Sequence, residues 1–252
     1  CLHTCSGAPV HFDYEDLRQL DSSAQVEAIA ALWRTVATTP MDLENGPLFF
    51  VWVKQLTDSR AEIVIAAHHI ICDGWSFGLL LKELVYLYSH NGDADGLPPA
   101  ESFFAYAEQC DAEEIANSDI DYWRDKFNQA PPVLDLPLDR MRPPTRPFQA
   151  SRFDFEFDPA LTAQLPKAAA RMKASLMNVL MAGYFTLLYR LTSSQDLVVG
   201  LAVAGQASFN KINQVGHMVQ LLPIRLALNN DMSYAELVGL VKREVLDASE
   251  HP

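Results

Sequence analysis

Two adjacent histidines, followed after three residues by Asp-Gly, are the residues of this sequence best suited to do chemistry. They are His68, His69, Asp73 and Gly74, and they lie in the stretch EIVIAAHHIICDGWSFG at residues 62–78. An imidazole titrates near neutral pH, so it can transfer a proton or position an amine. A carboxylate among so many apolar residues needs a cation or hydrogen-bond donors as partners. The stretch is therefore the first candidate for a functional site.

Three interpretations of this pattern compete. The first is a satisfied core histidine with Asp73 capping the next helix, and the second is a metal site. The metal site is weak, because two adjacent strand histidines cannot easily chelate one ion and no third ligand follows at a familiar spacing. The third is general-base or amine-positioning chemistry by one imidazole. No cysteine lies in a nucleophile turn, and Cys72 is interpreted as a small buried side chain, so an enzyme would use direct transfer rather than an acyl-enzyme.

The apolar run before the histidines predicts a strand that runs into them. Side chains alternate along a strand, so His68 and His69 would point to opposite faces and only one could enter a given cavity. Both faces are apolar, so the pattern alone does not say which histidine that is. Gly74 predicts a tight turn or a close approach of the backbone to another group.

Helices and a hairpin are predicted around these residues in the first half of the chain. A helix over 25–38 would be capped by Ser22 or Ser23, and LFFVWVKQL with AEIVIAAHH would form a β-hairpin through TDSR. Helices are then predicted over FGLLLKELVYLYS, ESFFAYAEQC and IDYWRDKF, the first capped by Ser76 and the last by Ser118.

A proline-rich stretch divides the chain. Six prolines within residues 131–149 exclude helix and central strand and predict a linker. Beyond it the sequence predicts a half-exposed strand in RFDFEFD, helices near 159–173 and 176–191, the latter buried, and buried strands in DLVVGLAVA and MVQLLPIRLAL. A final helix would begin with the capping box of Ser233 and Glu236. Helix and strand are thus mixed on both sides of the linker, as in an α/β or α+β protein.

Composition excludes several classes of partner. The 252 residues are 49% hydrophobic, enough for a sizeable core, and the formal net charge of −13 makes nucleic acid a poor partner. No apolar run reaches the ~18–20 residues of a membrane span. The four cysteines, Cys1, Cys5, Cys72 and Cys110, match no zinc pattern, and the simplest compartment is a reducing cytosol. Both ends look cut, so a piece of a longer protein is expected.

The stretch HHIICDGWS, His68 to Ser76, resembles the HHxxxDG signature of nonribosomal peptide synthetase condensation domains, including the trailing Trp-Ser. Other acyltransferases related to chloramphenicol acetyltransferase share this signature. Further segments of the chain also resemble condensation-domain motifs: MDLENGPLF, DYWRDKF with LDLPLDRMRPP within residues 121–144, DLVVGLAVAGQ, and VGHMVQLLPIR at 215–225. The resemblance covers nearly the whole chain and implies that the start of the first lobe and the later half of the second are missing.

The resemblance implies a fold and a set of partners. The fold is a chloramphenicol acetyltransferase-like pair of lobes in a V with an active-site tunnel between them. In this chain the lobes would be residues 1–130 and 150–252, joined by the linker at 131–149. Donor and acceptor carrier proteins would deliver thioester-bound groups on phosphopantetheine arms, beside a neighbouring adenylation domain. The domain itself would bind no cofactor or metal, and its place would be the cytoplasm.

The resemblance also implies roles for individual residues. His69 would position or deprotonate the attacking amine, two alternatives that stay open, and Gly74 would stabilise the oxyanion through its backbone N–H. His68 would be structural, and Asp73 would hold the loop through an ion pair for which Arg225 is the candidate partner. Residues expected to line the tunnel are Trp75, Ser76, Gln206 and His217, although Trp75 could equally pack, Ser76 is first a helix cap and His217 suits a surface or core role better than a catalytic one.

Some positions depart from the family pattern. Gln206 stands where an arginine is common, and Gln220 where an asparagine is common; Met218 and Leu221 replace the usual Phe and Thr. The ending "AGQ" resembles members that work beside polyketide modules. The intact histidine pair argues against the heterocyclising branch, in which aspartates replace it. Two alternatives to amide formation remain open: an acyltransferase that uses coenzyme A, and a non-catalytic carrier-docking module.

Overall fold

The computed structural model describes residues 10–112, 115–145, 147, 151–208 and 211–251. Cys1 and Cys5, on which part of the compartment prediction rests, lie outside these residues. The first half contains the elements β1 (His11–Asp16), α1 (Ser22–Thr38), β2 (Phe49–Thr57), β3 (Arg60–Ala67), α2 (Gly74–Ser89), α3 (Phe103–Ala112) and α4 (Asn117–Lys126). The second half contains α5 (Pro159–Arg171), α6 (Leu176–Thr192), β4 (Asp196–Ala204), α7 (Gly205–Ser208), β5 (Val219–Ala227) and α8 (Tyr234–Ser249).

The first compact unit combines Cys1–Cys110 with Ala204–Val219. Its sheet has the order β1-β2-β3, with β1 parallel to β2 and β2 antiparallel to β3. Val53 of β2 lies opposite Ile63 of β3, so the predicted hairpin is confirmed. The loop that carries the two histidines follows β3 directly.

The second compact unit combines Asp111–Val203 with Gln220–Pro252. Strands β4 and β5 form a two-stranded sheet, and helices α6 and α8 pack against each other. The buried core of this unit is apolar and comes from these four elements and α5, with members that include Ala182, Phe185, Leu197, Ile224, Leu226, Val238 and Val241. Solvent accessibility varies along β4 and β5 in a way that shows one face of each strand to be buried and the other to be more exposed. The prediction of buried strands is therefore corrected to half-buried strands.

Aspartates cap the first two helices: for α1 the sequence predicts Ser22 or Ser23, whereas for α2 the interpretation with Asp73 as the cap is confirmed over Ser76. Asp21 accepts a hydrogen bond from Ala24 N at 2.8 Å and caps α1, and Asp73 caps α2. In both cases the carboxylate precedes the helix and reaches the N–H three residues on. The N-cap of α4 is Ala116 rather than Ser118, whereas the capping box of Ser233 and Glu236 at α8 is confirmed.

The proline-rich stretch belongs to the second unit. Its described residues, 131–145 and 147, form neither helix nor strand, as predicted. Leu134 and Leu136 nevertheless pack against the core of the second unit, and the two compact units divide at residues 110 and 111. These leucines bury apolar surface that a free linker would leave in water, so the stretch packs as part of the second unit.

Two predicted apolar elements are exposed. The segment RFDFEFD forms no strand, and the side chains of Phe153, Phe155 and Phe157 lie largely in solvent, since no strand among the described residues pairs with this segment. Helix α6 buries one stripe, but Leu180 and Leu187 on its other face are exposed, which corrects the prediction of a buried helix. No helix in the described part of the chain is long and apolar enough to cross a membrane.

Candidate active site

The two histidines lie just beyond the end of β3, not within it. The strand ends at Ala67, His68 N donates a hydrogen bond to Leu48 O at 2.9 Å, and Ile71 N donates to His68 O at 3.0 Å to close a turn. The alternation expected if the strand ran through His68 and His69 therefore does not apply, because β3 ends before them. The backbone turn, rather than the pleat of the sheet, sets the directions of the two rings.

His68 is half-buried and is tied to its own loop. Its Nδ1 accepts a hydrogen bond from Ile70 N at 3.1 Å. A ring nitrogen that accepts from a backbone N–H carries no proton, so a neutral His68 has its proton on Nε2. This bond ties the His68 ring to the backbone of its own loop.

His69 is exposed and meets a second imidazole from far along the chain. Its Nδ1 lies 3.0 Å from Nδ1 of His217, with the ring centroids 5.0 Å apart and the ring planes at 75°. Both residues belong to the first compact unit. Sequence reasoning did not find this pair, because 148 positions separate its members and no local signal connects them.

The Asp73 carboxylate is buried, with 1% of the residue exposed, and receives four hydrogen bonds. Oδ1 accepts from Ser76 N at 2.9 Å and from Ser76 Oγ at 2.7 Å. Oδ2 accepts from Gln206 Nε2 at 2.8 Å and from Met218 N at 3.0 Å. Burial opposes ionisation of Asp73, but the bonds from Ser76, Gln206 and Met218 outweigh it and hold the pKa of this carboxyl below its usual value.

Arg225 is not the partner of Asp73, which corrects the predicted ion pair. Arg225 Nη2 lies 2.6 Å from Asp196 Oδ2 and its Nε 3.0 Å from Asp196 Oδ1, while Nη1 donates to the carbonyl oxygens of Lys126 and Gln129. This bidentate geometry satisfies the guanidinium within the second unit. The Asp196 carboxylate raises the pKa of Arg225 further.

Two of the four residues predicted to line a tunnel are fully buried. Ser76 and Gln206 have 0% exposure and both donate to Asp73, so they hold the loop from inside and the lining prediction is wrong for them. Trp75 is 39% exposed and its Nε1 donates to Ile212 O at 2.9 Å. Trp75 and the exposed His217 keep surface that a substrate could contact.

The segment from Gly205 to Val219 is bonded to the start of α2 near both of its own ends, through Gln206 and through Gly216 and Met218. Gly216 N donates to Ser76 Oγ at 3.0 Å, next to the bond from Met218 N to Asp73. A Cβ on Gly216 would lie 2.1 Å from Phe103 Cδ2, so the close packing of Phe103 requires glycine. In the sequence, Gln206 stands where an arginine is common in the family. That departure is a signal that could have indicated the contact of this segment with Asp73.

Cys72 is buried, with 2% of the residue exposed. Burial, and after it the charge of Asp73, raises the pKa of the Cys72 thiol. A thiol held protonated is a poor nucleophile. Cys72 is therefore a packing residue, as predicted.

The described residues contain no group of three or more His, Cys, Asp or Glu side chains arranged to hold a metal ion. The groups of this site that could do chemistry are the exposed imidazole of His69 and the N-terminus of α2, whose first N–H groups have no partner within the helix. An imidazole can handle an amine proton, and the N–H donors of a helix N-terminus can stabilise a developing negative charge.

Solved structures share this fold. The four-domain nonribosomal peptide synthetase holo-AB3403, bound to AMP and glycine, has a TM-score of 0.80 at 21% identity, covering 97% of this chain and 18% of that one. The first condensation domain of the calcium-dependent antibiotic synthetase, in complex with a substrate analogue, has a TM-score of 0.76 at 25% identity, covering 96% of this chain and 57% of that one. The chain thus has the chloramphenicol acetyltransferase-like fold of condensation domains, and the predicted fold class is confirmed.

The chain belongs to the condensation-domain family, whose model, described as "Condensation domain", matches residues 2–252. A linear gramicidin synthase of Brevibacillus parabrevis is 30% identical over 242 residues, covering 94% of this chain and 5% of the relative. Phosphinothricin tripeptide synthetase PhsC of Streptomyces viridochromogenes is 32% identical over 241 residues, covering 92% of this chain and 22% of the relative. The chain therefore spans a small part of the length of these synthetases. In such synthetases the condensation domain is the acyltransferase that forms the amide bond.

Proposed function

We propose that this chain forms an amide bond between two carrier-bound substrates. The amine of an aminoacyl group on the acceptor carrier attacks the carbonyl carbon of an acyl or peptidyl thioester on the donor carrier. The observation that carries the proposal is the exposed imidazole of His69. Its loop leads into Asp73, whose buried carboxylate accepts hydrogen bonds on both oxygens.

The reaction needs a proton acceptor and a site for negative charge. The amine nitrogen bonds to the carbonyl carbon, the C–S bond breaks, and the thiolate leaves on the phosphopantetheine of the donor carrier with the proton that the amine gives up. His69 either accepts that proton in transit or positions the amine through a hydrogen bond. The N–H of Gly74, the first residue of α2, donates to the oxyanion of the tetrahedral intermediate.

Further parts of the proposal concern the partners. The substrates arrive on the phosphopantetheine arms of a donor and an acceptor carrier protein, and the domain itself holds no cofactor. A neighbouring adenylation domain loads the acceptor carrier, and the whole assembly works in the cytoplasm. The curated relatives support this arrangement because they are peptide synthetases much longer than this chain. Arg225 keeps a structural role, through its bonds to Asp196.

The experiment supplies the protein with an acyl thioester on a donor carrier and an aminoacyl group on an acceptor carrier, and follows transfer by mass spectrometry. His69→Ala should lower the transfer rate by about 10²–10⁴-fold, the usual contribution of a general base. Because His69 is exposed, the His69→Ala protein should bind the carriers and unfold thermally as the wild type does. The matched control is His90→Ala, an exposed histidine at the end of α2, which should transfer normally.

Each alternative has its own outcome. Transfer from acyl-coenzyme A but not from the acyl carrier would favour the coenzyme A-dependent acyltransferase. Carrier binding without any transfer by the wild type would favour a docking module. Equal transfer by His69→Ala and the wild type would show that His69 is not the catalytic residue.

A further inference from the structure

We propose that His217 is a positioning residue that determines which ring nitrogen of His69 carries the proton. In this assignment, which rests on the proposed function, Nδ1–H of His69 donates to Nδ1 of His217. The lone pair of His69 then lies on Nε2, the nitrogen across the ring, where it can accept a hydrogen bond or a proton from the attacking amine.

The distance between the two rings requires an unequal sharing of protons. Two Nδ1 atoms lie 3.0 Å apart, which is hydrogen-bond distance. Two bare nitrogens would oppose their lone pairs, and two protonated ones would oppose their N–H groups. One ring must donate and the other accept, so in a pair of neutral rings one carries its proton on Nδ1 and the other on Nε2.

The backbone on both sides of His217 is fixed. Gly216 N donates to Ser76 Oγ at 3.0 Å and Met218 N donates to Asp73 Oδ2 at 3.0 Å. Both of these neighbours are buried, while His217 itself projects outward and is exposed. The His217 ring is thus held against His69 by the same carboxylate that caps α2, so the contact does not depend on a freely moving loop.

The direction of the bond follows from the task of His69. If His217 were the donor, Nδ1 of His69 would be the bare nitrogen and its Nε2 would carry a proton, which could not accept from an amine. His68 has that opposite arrangement, because its Nδ1 accepts from Ile70 N. The adjacent histidines are therefore set in opposite tautomers by two different partners, and only the tautomer assigned to His69 suits a base.

The test is a measurement of tautomers at one fixed pH at which both rings are neutral. Long-range proton–nitrogen NMR spectra of the uniformly ¹⁵N-labelled protein distinguish a protonated from a bare ring nitrogen. We expect Nδ1 of His69 to be protonated and Nδ1 of His217 to be bare in the wild type. His217→Leu removes the acceptor and should shift the population of His69 toward the form protonated on Nε2. His217→Asn can place its amide oxygen near the former Nδ1 position and should restore the wild-type tautomer.

Kinetics provide the second readout. His217→Leu should lower kcat by about tenfold, which is less than the 10²–10⁴-fold that a general base contributes, and should leave the KM for both carriers unchanged. His217→Asn should recover most of the loss, and His90→Leu, which alters an exposed histidine of the same unit, should change neither the His69 tautomer nor kcat.

Two results would overturn the assignment. One is a wild-type His69 protonated on Nε2, and the other is a His217→Leu protein with an unchanged His69 tautomer and unchanged kcat. A wild type that transfers nothing between carriers would instead defeat the proposed function, while the NMR spectra would still decide the direction of the hydrogen bond.

Discussion

Gln206 donates from Nε2 to Oδ2 of Asp73 at 2.8 Å, so a neutral amide faces this buried carboxylate. The other donors, from Ser76 and Met218, are also uncharged. The charge of Asp73 is thus stabilised by four dipoles converging on it, which connects the start of α2 with the segment from Gly205 to Val219.

Asp73→Asn should destabilise the protein and reduce its sensitivity to acid. The amide adds donors where four donors already converge, and losing bonds to a charged acceptor costs about 1.5–3 kcal/mol at neutral pH. Because the native pKa of Asp73 is lowered, its contribution is present above the unfolded value of about 3.9 and is lost as the pH falls through the native pKa. Urea unfolding between pH 3 and 7 measures both effects.

Over that range, the free energy of unfolding should fall with acid more steeply in the wild type than in the Asp73→Asn protein. The matched control is Asp231→Asn, an exposed carboxylate, which should keep the wild-type slope. Parallel slopes for the wild type and Asp73→Asn would contradict the assigned role of the carboxylate.

Two substitutions at Gln206 should separate loss of a donor from charge repulsion. Gln206→Leu removes the bond to Asp73 and should cost about 1.5–3 kcal/mol. Gln206→Glu should cost more at neutral pH, because two buried carboxylates then face each other. The excess cost should be absent below the unfolded pKa of glutamate, about 4.3, where the protonated side chain introduced by Gln206→Glu can donate, and should grow as the pH rises. Equal stability of the two variants at pH 7 would refute this account.

Gly74→Ala should impair catalysis without impairing the fold. A Cβ at Gly74 would meet no atom within 4 Å, and alanine suits the first turn of a helix, so thermal unfolding should change little. If the Gly74 N–H approaches the oxyanion, the added methyl group should obstruct the reacting carbonyl and lower the transfer rate by about 10²-fold, as loss of an oxyanion donor does. Ser89→Ala, at the far end of α2, is the control. A fully active Gly74→Ala protein would remove Gly74 from the proposed mechanism.

Arg225→Lys should destabilise the second unit without affecting Asp73. Lysine cannot reproduce the bidentate pair with Asp196 together with the bonds to two carbonyl oxygens, so the midpoint of thermal unfolding should fall. The acid dependence attributed to Asp73 should persist in this variant and change in Gln206→Leu. An Arg225→Lys protein that loses that dependence would revive the ion pair predicted from the sequence.

Much of the fold could be predicted because its signals are local. The hairpin of β2 and β3, helices α5 and α6, and the capping box of α8 follow from residues close together in the chain. The segment RFDFEFD shows the limit of this reasoning, because alternation makes a segment suitable for a sheet but does not supply a partner strand.

The candidate site was only partly predictable. His68, His69, Asp73 and Gly74 could be selected from their types and spacing alone, and the resemblance assigned His69 the active role. The choice of Arg225 as the partner of Asp73 failed because it assumed that a buried carboxylate takes a cation, whereas four neutral donors suffice here.

The sequence by itself determined the family, the mixed helix and strand content, and the short stretch in which the chemistry lies, since all of these are carried by residues adjacent in the chain. Only the tertiary structure decided that Gln206 donates a hydrogen bond to Asp73 and that the rings of His217 and His69 are in contact. These pairs are separated by 133 and 148 positions in the chain. Such contacts depend on where the segment from Gly205 to Val219 packs, and packing is a property of the folded chain that no local pattern encodes.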